Sequence, residues 1–129
     1  MAEKVGIIII SHSYQIGEGV KALIDQVMDD VPLALACGTE DNEIGTSIEK
    51  IQTAIDQATG ANGAIIFYDL GSAKMNAEIA IELAGISHLQ IAAGVPIVEG
   101  AYVAAVESNI GKSLEEIMTS LEKWKVESM

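Results

Sequence analysis

The sequence predicts an α/β fold, an open and mainly parallel sheet of about four strands with helices on both faces. Three observations lead there. Short apolar β-branched runs alternate with segments of helical spacing, the runs read as strands covered on both faces, and polar loops follow the first three of them. With 129 residues, half of them hydrophobic, the chain has the size of one domain, taken as residues 1–129, that buries roughly two-thirds of its unfolded surface.

The elements follow in order. Val5 to Ile10, broken only by Gly6, is the first strand, starting near Lys4. After Ser11-His12-Ser13, the residues Ile16, Val20, Leu23, Ile24, Val27 and Met28 recur at helical spacing, and Pro32 bounds that helix. Val31 to Cys37 is a second strand, leading into the polar loop GTEDNEIG. Thr46 with Glu49 reads as a capping box for a helix carrying Ile48, Ile51 and Ile55. Gly63 to Tyr68 is the third strand. The segment DLGSAKMN then opens a helix whose apolar positions, Ile79, Leu83 and the alanines, run to a C-cap at Gly85. His88 to Ala93 is the fourth strand, and Pro96 suits the first turn of a helix from Ile97 to about Glu107. Ser113 with Glu116 forms a capping box for a last helix with Leu114, Ile117, Met118, Leu121 and Trp124 on one face. The order βαβαβαβαα implies right-handed crossovers.

Composition excludes several functions. Seven lysines, no arginine and nineteen acidic residues give a net charge of −12, which repels phosphate backbones and argues against nucleic acid. It favours basic protein partners. A mean hydropathy of +0.34 in so acidic a chain points to a buried subunit interface. No apolar run approaches the ~20 residues needed to span a bilayer, and no secretory signal is present, so a soluble cytoplasmic protein is expected. One cysteine and two histidines leave no conventional zinc site, so no metal is expected.

In open α/β sheets ligands bind beyond the carboxyl ends of the strands, where the strand order reverses. The loops placed there are Ser11-His12-Ser13, Gly38-Thr39-Glu40-Asp41 and Asp69-Leu70-Gly71-Ser72. His12 and Asp69, leaving neighbouring strands, would form a hydrogen-bonded pair in which the carboxylate fixes one tautomer and frees the other ring nitrogen as base, ligand or nucleophile. Gly71 and Ser72, at a helix N-terminus, offer an anion site. Ser13, Thr39, Gly71 and Ser72 are expected to line a phosphate, with Gly38 permitting close approach. Lys74 is read as a solvated surface lysine, the alternative being that it faces that phosphate or a partner. His88 falls at the far end of the sheet and is read as surface, Met75 and Met118 as core, and Cys37 as an inert buried thiol. A serine hydrolase is disfavoured because G-x-S-x-G is absent. The dinucleotide fingerprint is not met, Gly17-Glu18-Gly19 lying inside a helix pattern, and Walker A is missing. A flavodoxin-like binding module, with Tyr14 or Tyr68 stacked on a ring, is the rival of a different class.

S-H-S-x-x-x-G-E-G at residues 11–19, D-L-G-S-A-x-M-N at residues 69–76 and the loop CGTEDNEIGTS together resemble the phosphotransferase subunits of bacterial phosphoenolpyruvate-dependent dihydroxyacetone kinases. These belong with the enzyme IIA domains of the mannose-type phosphotransferase system. The resemblance spans almost the whole chain. Sugar-permease members tend to carry T-H-G and G-G-S-P at the two sites, so S-H-S and G-S-A favour the kinase subunits over an enzyme IIA component of a permease. The resemblance implies a phosphotransferase: His12 takes a phosphoryl group from the phosphocarrier protein HPr and passes it to ADP on the kinase's nucleotide-binding subunit, with Asp69 orienting the ring. It implies a homodimer and no cofactor beyond the covalent phosphohistidine. Some relatives carry HPr-like and enzyme I-like domains in the same chain, and here separate donor proteins are expected.

Overall fold

The computed structural model describes residues 4–126. Four parallel strands form one sheet in the order β2-β1-β3-β4: β1 (Gly6–Ser11), β2 (Leu33–Cys37), β3 (Ala64–Tyr68) and β4 (Leu89–Ile91). The helices are α1 (Tyr14–Ile24), α2 (Ile48–Ala58), α3 (Gly71–Ala84), α4 (Ile97–Asn109) and α5 (Leu114–Leu121). The chain steps from β1 to β2 on one side, then crosses back to β3 on the other. The order therefore reverses between β1 and β3.

Alternation along the central strands divides the core in two. Ile7, Ile9, Ile65 and Phe67 pack with Val20 and Ile24 of α1, Ala101, Ala104 and Ala105 of α4, and Ile117 and Leu121 of α5. Ile8, Ile10, Ile66 and Tyr68 face the other way, against Ile51 and Ile55 of α2 and Ala73, Ala77 and Ala80 of α3. Every residue of β1 and β3 is buried, as expected for central strands of a parallel sheet covered on both faces. Each buried isoleucine contributes about 1.5–3 kcal/mol relative to exposure.

The structure departs from the sequence expectations at several positions. The α2 cap lies one residue later than Thr46: Ser47 accepts from the Lys50 amide, so the third helical residue is Lys50 and not Glu49. Pro96 occupies the N-cap of α4 rather than its first turn, and the helix runs on to Asn109. The Ser113–Glu116 capping box is present, but α5 ends at Leu121 and Trp124 sits in a following 3-10 turn. In α3 the alanines carry the packing. Met75 lies about 200° round the helix from Ala73 and is 64% exposed, with Ile79 and Leu83 exposed beside it, so none of these three is core. Met118 is partly buried against the first core half.

Cys37 is buried, its thiol donating to the Ile9 carbonyl at 3.4 Å, and burial pushes its pKa up to about 11. It is therefore a packing residue and not a nucleophile. Gly6 is where β1 passes closest to α2: a Cβ there would overlap the carbonyl oxygen of Ala58. Gly6→Ala should lower the unfolding free energy by about 1–3 kcal/mol through overpacking, read from urea denaturation against the parent chain.

Candidate functional site

The register explains how the loops meet. Ile10 pairs with Tyr68 and Ser11 with Cys37, so the residues that follow β1 and β3 emerge side by side at the point where the strand order reverses. Asp69 receives four hydrogen bonds there. The Ser11 hydroxyl donates to Oδ2 at 2.7 Å and the His12 amide to the same oxygen at 3.0 Å; the Leu70 amide donates to Oδ1 at 2.8 Å, and His12 Nδ1 lies 3.1 Å from Oδ1. Burial alone would raise the Asp69 pKa, but the Ser11 hydroxyl, the His12 ring and the His12 amide outweigh it and hold the carboxyl below its usual range.

An ionised Asp69 is an acceptor only, so the proton between it and His12 sits on Nδ1. Nε2 then carries the lone pair and accepts from the Ser72 hydroxyl at 2.8 Å. The ring is fixed at both nitrogens while its side chain keeps 19% of its surface exposed. Such an imidazole is held in one tautomer, with the Nε2 lone pair available to act as base, ligand or nucleophile.

Around this pair the expected residues divide. Ser72 touches Nε2, and Gly71 opens α3 beside it; α3 has Leu70 at its N-cap and no side-chain cap, so its first-turn amides face the same end of the sheet. Ser13 caps α1, accepting from the Ile16 amide, and its own amide donates to Ser11 Oγ. Gly38 and Thr39 serve the second loop. Gly38 has φ +78, its amide donates to the Ser11 carbonyl, and a Cβ would crowd the Glu43 carbonyl at 3.1 Å; Thr39 Oγ1 accepts from the Glu43 amide at 3.1 Å. That loop reaches the histidine through its backbone, the Gly45 amide donating to the His12 carbonyl at 2.9 Å. Lys74 is half-buried in the first turn of α3.

Ser11 joins the site beyond the expected residues. Its signal was there: a serine closing a strand of isoleucines, fully buried, has to find a polar partner, and that partner is Asp69. His88 is exposed at the amino-terminal end of β4, with Nε2 2.9 Å from the Gly60 carbonyl, far from the site as expected. Of the two aromatics a stacked flavin would use, Tyr68 is buried with its hydroxyl accepting from the Gly94 amide. Only Tyr14 is exposed, and the Lys50 ammonium lies over its ring.

The depressed Asp69 pKa has a defined sign in stability. The unfolded chain takes up the proton more readily than the folded one, so the contribution is present above the ordinary carboxylate value and is lost as pH falls from that value through the lower folded pKa. Unfolding free energies of the parent and of Asp69→Asn should converge across that window; a gap that does not change with pH would contradict the ionised hub.

A family model described as the fructose IIA component of the phosphotransferase system matches residues 6–118. The chain is 39% identical over 122 residues to the phosphotransferase subunit DhaM of the phosphotransferase-system-dependent dihydroxyacetone kinase of Lactococcus lactis, covering 95% of this chain and 97% of that one. It is 40% identical over 121 residues to the phosphoryl donor subunit DhaM of dihydroxyacetone kinase 1 of Listeria innocua, covering 94% and 95%. Among solved structures it is similar to the crystal structure of a protein of unknown function, with a TM-score of 0.82, 27% identity and 98% of both chains covered. With a family model matched across residues 6–118 and His12 paired with Asp69 where the strand order reverses, the protein belongs to the EIIA-man family of the phosphotransferase system.

Proposed function

We propose that this chain is a phosphohistidine relay that accepts a phosphoryl group on His12 Nε2 from HPr and passes it to ADP held on the nucleotide-binding subunit of a dihydroxyacetone kinase. The observation that carries the reading is the ring held at both nitrogens, Nδ1 by Asp69 and Nε2 by Ser72. Relatives named the phosphotransferase subunit and the phosphoryl donor subunit of dihydroxyacetone kinases support this choice of acceptor system.

The chemistry follows from this arrangement. The Nε2 lone pair attacks phosphorus in line as the P–N bond to the donor imidazole breaks, and the electron pair of that bond returns to the donor nitrogen. The receiving ring becomes cationic, and the Asp69 carboxylate stabilises it through Nδ1–H. The Ser72 hydroxyl, displaced from Nε2, donates to a phosphoryl oxygen, beside the first-turn amides of Gly71 and Ser72. Ser13 borders this position, while Gly38 and Thr39 shape the loop around it. The second step reverses the geometry, with an ADP oxygen as the attacking atom.

Exposed apolar side chains adjoin the site: Tyr14, Ile44, Leu70 and Met75 lie on the three loops or the helix starts that follow them. A partner protein covering them would exclude water during transfer. Farther along α3, Met75, Ile79 and Leu83 form an exposed stripe at i, i+4, i+8, which suits self-association as a homodimer.

Intact-mass spectrometry after incubation with phosphoenolpyruvate, enzyme I and HPr should show one acid-labile phosphoryl adduct, lost when the ADP-loaded kinase subunit is added. His12→Ala should remain folded and acquire none. An adduct that persists on His12→Ala, or no adduct on the parent chain, would overturn the proposal.

A further inference from the structure

Lys50 is out of place by local rules. It is the third residue of α2, in the turn where the helix dipole favours acids, and a capping box would put a carboxylate there. Its backbone amide still meets the Ser47 cap, but its side chain leaves the helix and crosses to the site loops. The ammonium donates to the Cys37 carbonyl at the end of β2 at 2.9 Å and to Asn42 Oδ1 at 2.7 Å, and lies 5.7 Å from the centre of the Tyr14 ring at the start of α1. One cation thus joins four elements: α2, the end of β2, the tip of the second loop and the helix that follows His12.

The loop it grips is the one that holds the histidine backbone. Asn42 sits at φ +63, a left-handed conformation that Asn tolerates better than most residues but that still needs fixing. Asn42 donates its amide to the Thr39 carbonyl, Thr39 exchanges bonds with Glu43, and the loop ends with the Gly45 amide on the His12 carbonyl. Gly38, next to Cys37, donates to the Ser11 carbonyl. The two backbone carbonyls flanking the nucleophile's position are therefore fastened to a loop whose tip and base Lys50 ties together.

We infer that Lys50 is a positioning residue for phosphoryl transfer: through Asn42 and the Cys37 carbonyl it fixes the second loop, and through that loop the His12 backbone. This rests on the relay reading. The ring's angle of attack depends on two anchors, the Asp69 carboxylate at its side chain and the second loop at its carbonyl, and Lys50 governs the second. Its three donors and compact charge suit a bridge between a carbonyl and an amide oxygen with an aromatic face alongside.

Lys50→Met keeps an unbranched apolar stem and removes the ammonium. Phosphorylation by HPr should slow about tenfold, since small displacements of a reacting group are costly, while the thermal midpoint changes little. Amide hydrogen exchange separates positioning from general destabilisation: Gly45 and Gly38 should lose protection, and amides within β1 and β3 should keep it. Lys50→Arg, which retains charge and donors, should recover most of the rate. Asn42→Ala should slow transfer in the same way, and adding it to Lys50→Met should cost little more, the signature of residues acting as one unit. A parent chain that acquires the adduct while Lys50→Met matches it in rate and in Gly45 protection would overturn this inference and leave the relay standing. A parent chain that acquires none would overturn the relay, and this role with it.

Discussion

The Asp69 carboxylate is the constraint on which the site depends. It takes a hydroxyl from the end of β1, two groups from His12 and the amide that begins the descent into α3. A charged group with so many donors is costly to strip of water unless all of them are well placed, and the parallel register of β1 and β3 places them. The apolar core thus has a direct chemical product. Isoleucines packed on both sheet faces set the strand ends in position to better than a loop could alone.

From that hub the rest of the arrangement is a division of labour. The first loop carries the imidazole and caps α1 through Ser13; the third carries the carboxylate and brings the α3 N-terminus against Nε2; the second contributes little side-chain chemistry but grips the histidine's own backbone. Orientation at a nitrogen and orientation at a carbonyl are different restraints. The first sets tautomer and ring plane, the second sets where the ring stands. A group that is to meet phosphorus in line needs both.

Much of this was legible in the sequence. Runs such as Ile7–Ile10 and Ile65–Tyr68 announce buried parallel strands, and the polar residues at their carboxyl ends bring His12, Asp69 and Ser72 to one end of the sheet, where Asp69 and Ser72 each lie within hydrogen-bond distance of the His12 ring. What escaped was set by tertiary geometry. Alanine carries little weight in a hydrophobic pattern, yet three alanines let α3 lie close to the sheet and turned Ile79 and Leu83 outward. Thr46 and Ser47 are equally good caps by type, and Ser47 takes the cap while the Thr46 hydroxyl accepts from the Asn76 side-chain amide at 2.6 Å. Residue type alone does not show that Gly38, at φ +78, and Thr39, bonded to Glu43, build a tight turn within the second loop.

The Ser72 contact has an energetic consequence. A group seated at Nε2 meets a hydroxyl and helix amides; with no arginine anywhere in the chain, no guanidinium fork grips it. Dipoles hold an anion without sinking it into a deep well. On the proposed relay reading, a phosphoryl group there would keep most of its group-transfer potential, which suits a site that hands its cargo on and does not store it.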